Sequence, residues 1–425
     1  MLTYFIKRFR FFYLIKKCFI SIKNNSIIDT FKKVISFMKR KKMSLLKINK
    51  LSYESEYQEN IDFSEYKPKV KAIAFYLPQF HRIPENDNWW GEGFTEWTNT
   101  SKAQPYFNGH YQPREPHDDF GYYNLTNPEI IKRQVLLAKQ HGIFGFCFYY
   151  YWFSGKRLLE KPLDLLLEHP EIDINFCLCW ANENWTRRWD GQDDEILIKQ
   201  NYSIEDSYNF IMDIKKYIID KRYIKKDEKP VILVYNPSLI PNTGEVFNLW
   251  RTYAANNGIG EIVIWICRTF GHNAISLNIT DKIDGEIEFP PHGLPVFYNK
   301  YFDSKGKISS IYDYKEIVDS LILEKKKKCN HLLNIYRTSM LGWDNYARKA
   351  NEWITYAGFT LNCFYSWVKF IVNDAYEKYD ENNAFIFINA WNEWAEGTYL
   401  EPDKKYGYAN INTFSKAICG LELNV

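Results

Sequence analysis

Eight short apolar runs recur through residues 69–425, at Val70–Leu77, Ile143–Tyr151, Asn175–Ala181, Val231–Asn236, Ile262–Thr269, Gly285–Phe289, His331–Thr338 and Ala384–Trp391. Most are apolar throughout rather than alternating, the pattern of parallel strands covered on both faces. Helical patterns lie between them. Pro128–His141 is one, with Asn127 placed to cap its first turn, proline at the first helical position and Gly142 just past its end. A stretch of about 375 residues could form two ordinary domains or one large barrel. Strand and helix alternating eight times favour the second, an α/β fold of the (β/α)8 TIM barrel type.

The chain ahead of the barrel has a different character. Residues 1–50 hold fourteen Lys or Arg and one acid, a net of +13; the other 41 bases and 51 acids leave −10, so the overall +3 describes neither part. From Tyr4 to Lys42, aromatic and aliphatic residues mix with cations and no Pro or Gly intervenes. Such a helix would be apolar on one side and basic on the other, as membrane-surface helices are, and the run Lys39, Arg40, Lys41, Lys42 would attract anionic headgroups. The same composition also fits a solvated arm. The expected organisation is a basic amphipathic helical arm (1–50), a polar, acidic linker (51–68) and a barrel (69–425). An acidic body lacks the clustered positive charge that neutralises phosphates, so no nucleic-acid partner is expected.

The eight Cys (18, 147, 177, 179, 267, 329, 363, 419) fall mostly inside apolar runs and form no CxxC pair, which suits buried thiols in a reducing compartment. No run of eighteen uncharged apolar residues exists, and Lys16 and Lys17 split Phe11–Ile15 from Cys18–Ile22, each too short for a secretory core. The expected location is cytoplasmic, with peripheral contact to the inner face of the cytoplasmic membrane through residues 1–50. The dispersed histidines form no HxH or HExxH pair and no GxGxxG follows a strand, so neither a metal nor a cofactor is expected.

In a (β/α)8 barrel, function gathers where strands end and βα loops begin. Those ends read YLPQFH (76–81), YYYWF (149–153), CWANENWTRRWDG (179–191), CRTF (267–270), EIEFPPH (286–292), YRTS (336–339) and NAWNEWAEG (389–397). Flat rings, amides and carboxylates together suit sugar, whose C–H faces stack on aromatics while its hydroxyls need donors and acceptors. Tyr76, Trp180, Asn182, Glu183, Trp185, Arg187, Asn392 and Trp394 are the candidate substrate-binding residues. Asn184 and Arg188 extend the set, and Gln79, His81, Glu286, Glu288 and His292 also stand at strand ends. Tyr149, Tyr150, Tyr151 and Trp152 can stack on sugar, with inward alternates filling core. Trp89, Trp90, Glu92, Glu96 and Trp97 belong to the long loop after strand one.

The sharpest constellation is Glu393 and Glu396, three residues apart where strand eight turns into its loop. Glycoside cleavage needs two carboxyl groups in different protonation states, one to donate a proton to the leaving oxygen and one to act as base or nucleophile. Trp391 and Trp394 would exclude water and raise one pKa, and Gly397 would permit the turn that brings both acids to the cleft. The plainer alternative is that these glutamates form salt bridges to arginines of the barrel rim, since carboxylates at this spacing are commonplace.

The segment NEWAEG (392–397) with Leu400-Glu401-Pro402 resembles the signature of glycoside hydrolase family 99, the endo-α-mannosidase-type enzymes. Over longer spans, YLPQFHRIPENDNWWGEGFTEW (76–97), CLCWANENWTRRWDG (177–191) and WNEWAEGTYLEPD (391–403) resemble the WbsX-like family, bacterial proteins of surface-polysaccharide gene clusters. The resemblance covers roughly residues 69–420. It implies a (β/α)8 fold and retaining chemistry at α-mannoside-like linkages. It implies further that Glu393 acts as base on the sugar's own 2-hydroxyl and that Glu396 protonates the leaving oxygen. The substrate would be an oligosaccharide or lipid-linked glycan of polysaccharide or lipopolysaccharide O-antigen assembly. A nucleotide-sugar-dependent glycosyltransferase and a non-catalytic glycan-binding scaffold are the alternatives.

Overall fold

The structure, a computed structural model, describes residues 56–107, 109–187, 192–294, 300–302, 308–324, 333–349 and 353–423. The basic arm and Arg188 lie outside these residues. Among the described residues, eight strands form the barrel wall: β1 (Lys71–Tyr76), β2 (Ile143–Phe153), β3 (Asn175–Trp180), β4 (Lys229–Val234), β5 (Val263–Arg268), β6 (Gly285–Glu288), β7 (Ile335–Tyr336 and Thr338–Met340) and β8 (Phe385–Asn389). Every neighbouring pair is parallel, and β1 pairs with both β2 and β8. The interruption in β7 falls at Arg337. Its first piece pairs with β6 and its second with β8, which closes the cylinder. The Arg337 side chain points outward and is held by Glu288 at 2.8 Å and by Asp374 at 2.9 Å.

Helices cover the outside. They are α1 (Pro84–Trp90) and α2 (Glu96–Lys102) in the loop after β1, then α3 (Pro128–Gln140), α4 (Lys161–Glu168), α5 (Ile204–Ile218), α6 (Thr243–Asn256), α7 (Tyr314–Glu324), α8 (Leu361–Lys378) and α9 (Ala409–Cys419). The start of α3 is built as its sequence requires: the Asn127 side chain accepts from the Glu129 amide and Pro128 opens the first turn. Gly142 follows at φ +72°, and a side chain there would also meet Pro68.

Three features depart from the sequence reading. The β5–β6 connection (269–284) forms turns instead of a helix. There, Asn273 and Ser276 each use a side-chain oxygen to cap the other's backbone N–H, an alternative to helical bonding. Strand seven ends two residues later than its apolar run suggests, at Met340, while His331 and Leu332 lie outside the described residues. Residues 56–68, read as linker, are docked. Gln58 exchanges backbone hydrogen bonds with Tyr406 and Tyr408, and Phe63 is buried with its amide on Gln140.

Strand side chains alternate between barrel interior and helix layer, and this parity decides which residues can form a site. Rings of Phe75, Tyr149, Phe289 and Phe387 meet across the interior. Below them Trp265 packs on Tyr336, Phe385 and Phe387. The thiols of Cys147, Cys177, Cys179 and Cys267 are buried at the same parity. One residue along in either direction, a side chain faces the helices.

Candidate active site

A cavity of about 480 Å³ opens at the C-terminal ends of the strands. Its strand-borne lining follows the inward parity: Leu77 and Gln79 after β1, Tyr149 and Tyr151 on β2, Ala181 and Glu183 after β3, Tyr235 after β4, Phe289 and Pro291 after β6 and Asn389 on β8. Trp90, Trp185, Phe270, His292 and Trp343 add further rings, and Glu393 and Glu396 also line it.

The two glutamates are brought there by a tight hairpin. Asn392–Glu393 pairs antiparallel with Thr398–Tyr399, and Trp394–Glu396 makes one 3₁₀ turn between them. Gly397 closes the turn at φ +65°, where a side chain is strained, and a Cβ on it would crowd the Arg114 guanidinium at 3.0 Å. Glu401, wholly buried, clamps the hairpin from behind. Its two oxygens accept from the indoles of Trp391 (3.0 Å) and Trp394 (2.7 Å), from the Gln134 amide (2.6 Å) and from the Tyr123 hydroxyl (2.8 Å). Four donors call for a carboxylate, yet burial pushes the Glu401 pKa up to about 7 in spite of those bonds.

Between the glutamates sits Arg348, just after the 3₁₀ turn Asn345–Ala347 in the loop following β7. Its guanidinium contacts Glu393 at 2.8 Å, Glu396 at 2.8 Å and Glu96 at 2.7 Å. Glu96 opens α2, is 0% exposed and comes from the loop after β1, so three separate βα loops converge on one cation. Asp344 positions the Arg348 turn. Its amide donates to the Glu396 carbonyl at 2.7 Å, and its carboxylate is held by His110 at 2.6 Å and Gln112 at 2.8 Å.

Three carboxyls around one guanidinium leave excess negative charge in a buried place. Glu393, only 4% exposed, responds most clearly: burial raises its pKa to about 8, with the charges of Glu396 and Glu96 adding and Arg348 opposing. Glu396 is raised as well, chiefly by burial. Tyr149 and Tyr151 remain neutral donors, since burial and then the charge at Glu393 push their phenols up. A site of this kind can hold one mobile proton on an acid pair next to aromatic surfaces. The salt bridges to an arginine that the sequence allows are formed by Glu393 and Glu396 themselves, inside the cavity wall.

The structure brings Glu183, Trp185, Glu393 and Glu396 together in the cavity. Arg187 lies near it, its guanidinium over the Trp90 ring and ion-paired to Glu195 at 2.7 Å. Five other candidates are turned away. Tyr76 and Trp180 have the outward parity. Tyr76 donates to Gln134 at 2.7 Å, behind Glu401, and Trp180 packs on Phe210 and Trp250. Asn182 and Asn392 are buried braces, each bonding a backbone N–H and a carbonyl, of Asn236 and Leu77 respectively. Trp394 stacks on Tyr399 with centroids 3.9 Å apart and gives its N–H to Glu401. These five brace the surrounding structure, and none of them is among the residues that line the cavity. Among the strand-end residues, Gln79 and His292 line the cavity, whereas Glu286 and Glu288 are outward, on Ala274 and Arg337. Arg348 was missed altogether. Its segment GWDNYARK (342–349) has the same Trp, Asn, Tyr and Arg content as the other strand ends and is the signal that could have found it.

A family model described as Glycosyltransferase WbsX matches residues 72–414. Two curated relatives, both called uncharacterized protein WxcX, come from Xanthomonas campestris pv. campestris strains B100 and ATCC 33913. Each is 38% identical over 349 residues, 81% of this chain and 49% of its own length. The chain thus spans about half the length of the curated relatives it matches. Among solved structures, one described as a glycoside hydrolase-like protein superposes with TM-score 0.52 at 14% identity, over 86% of this chain and 97% of that one. The endo-α-mannosidase of glycoside hydrolase family 99 from Bacteroides thetaiotaomicron gives TM-score 0.46 at 14% identity, over 81% and 95%. With a family match along most of the barrel, this chain belongs to the WbsX glycosyltransferase family.

Proposed function

We propose that the protein cleaves or transfers glycosyl units at α-mannoside-like linkages in bacterial surface-polysaccharide assembly, with Glu393 and Glu396 as its acid–base pair. The observation that carries this reading is the joint seating of both carboxyls on one buried guanidinium at the wall of an aromatic cavity. In the first half-reaction Glu393 takes the proton of the sugar's 2-hydroxyl as that oxygen attacks C1. Glu396 gives its proton to the leaving oxygen as the C1–O bond breaks. In the second, the Glu396 carboxylate takes a proton from incoming water or a sugar hydroxyl, whose oxygen opens the anhydro ring at C1, and Glu393 returns its proton to O2. The pair needs one proton at every stage, and because the groups interact they titrate as a unit.

The test is to incubate purified protein with lipid-linked and free α-mannoside oligosaccharides and to mass-analyse the products. Turnover is expected without any nucleotide sugar, and to fall as pH rises through about 8, where the pair's last proton leaves. No turnover of any glycan, or an alkaline limit unrelated to the pair, would sink the reading. The family description favours a second reading, transfer from a nucleotide sugar, whose mark is product that forms only when that donor is supplied.

No helix among the described residues is long and apolar enough to cross a membrane. The +13 of residues 1–50 would hold the enzyme by charge at an anionic lipid surface, close to a lipid-linked substrate. Co-sedimentation with phosphatidylglycerol vesicles is expected for the full chain and to be lost when residues 1–50 are deleted. Equal sedimentation of both would argue against the anchor.

A further inference from the structure

Several buried side-chain polar atoms have no hydrogen-bond partner among the described residues. Of the residues that carry them, Asn389 and Trp343 are the two that line the cavity. Asn389 ends β8 and is 1% exposed, and its amide nitrogen donates to the Pro290 carbonyl at 2.7 Å. A carbonyl only accepts, so this bond fixes which way the amide faces and leaves Oδ1 as the unpaired acceptor. Trp343 is 8% exposed, and its Nε1–H is the unpaired donor. The two come from adjacent strand ends, since Met340, three residues before Trp343, is the register partner of Asn389. Glu393 follows four residues after Asn389 along the same loop.

Unpaired buried donors and acceptors are scarce in folded proteins because each forfeits its bonds to water. A residue with an unpaired acceptor and one with an unpaired donor line a single cavity with an acid pair, and a sugar hydroxyl can serve either, since an O–H both donates and accepts. We propose that Asn389 Oδ1 and Trp343 Nε1 read free hydroxyl oxygens on the glycosyl unit seated against Glu393 and Glu396. They would thereby select a hydroxylated sugar over its deoxy or O-acylated counterpart. The inference rests on the glycan reading of the cavity made above. It adds a selectivity rule: the penalty for a missing hydroxyl comes from leaving the wall atoms unpaired, which discriminates more strongly than loss of an apolar contact.

The probes are methyl α-D-mannopyranoside and its 2-, 3-, 4- and 6-deoxy analogues, with dissociation constants read by ligand-observed NMR. The wild-type protein is expected to bind the parent and to bind at least one monodeoxy analogue on the order of tenfold more weakly. Trp343→Phe keeps one aromatic ring and removes the donor along with the second ring of the indole. It should weaken parent binding on the order of tenfold and shrink the deoxy penalty, with Tm lowered only by the lost packing, since no intramolecular hydrogen bond is broken. Equal binding of all five probes by the wild type, or wild-type affinities in Trp343→Phe, overturns the proposal. Binding of none of the five overturns the α-mannoside reading and this inference with it.

Discussion

Glu396→Gln is expected to lower turnover by roughly 10²–10⁴-fold, the range associated with losing a positioned proton donor. An amide cannot protonate the departing oxygen, so the loss should depend on how much protonation the leaving group needs. With an activated α-mannosyl fluoride or aryl glycoside, whose leaving group departs as an anion, much of the first half-reaction should return. Glu393→Gln is expected to cost as much with both substrate types, since the attacking 2-hydroxyl keeps its proton whatever leaves. Fold should survive both changes. Each glutamate is pushed toward its neutral form by burial and by its acidic neighbours, and a neutral amide relieves that repulsion about Arg348. Steady-state rates on the two substrates, with Tm as control, check this. Wild-type turnover in both variants would remove the pair from the mechanism, and identical leaving-group behaviour would erase the division of roles.

The barrel was legible because its strands are apolar end to end and its helices carry ordinary start and stop signals, as Asn127-Pro128 and Gly142 illustrate. The joint placement of Glu393 and Glu396 in the cavity was legible because the two are close in sequence at the end of a strand. The walls were misjudged where strand parity was not applied. Phe75 faces the interior, so Tyr76 must face the helices, and the same rule turns Trp180 outward while admitting Tyr149, Tyr151 and Tyr235. That information is present in the sequence. What is not present is the tertiary convergence that makes Arg348 central: Glu96 and Glu393 are far apart along the chain, and only closure of β1 against β8 brings them to one guanidinium. The missing helix between β5 and β6 has a local cause, the mutual capping of Asn273 and Ser276, which competes with helix formation too weakly to be read in advance.

Replacing that guanidinium should have the largest effect on stability. Arg348→Met keeps the unbranched apolar stem but leaves Glu96, Glu393 and Glu396 facing one another in a buried site without their cation. Removing one partner from a buried ion cluster costs about 3–5 kcal/mol, because the remaining charges stay desolvated. The cost must depend on pH. A carboxyl whose folded pKa is raised binds more protons folded than unfolded, so its contribution to stability is fully present below the unfolded value and is lost as pH rises through the folded one. Glu393 already behaves this way up to about 8, and without Arg348 both Glu393 and Glu396 lose the charge that opposes their upward shift. The deficit of Arg348→Met relative to wild type should therefore be near its full size at pH 8 and shrink as pH falls toward 4.5, where protonation removes the repulsion. Urea denaturation at these two pH values measures it, and Glu96→Gln added to Arg348→Met should recover part of the loss at pH 8 only. A deficit that is the same at both values would mean that Arg348 acts by filling space and that its charge does not govern the pair.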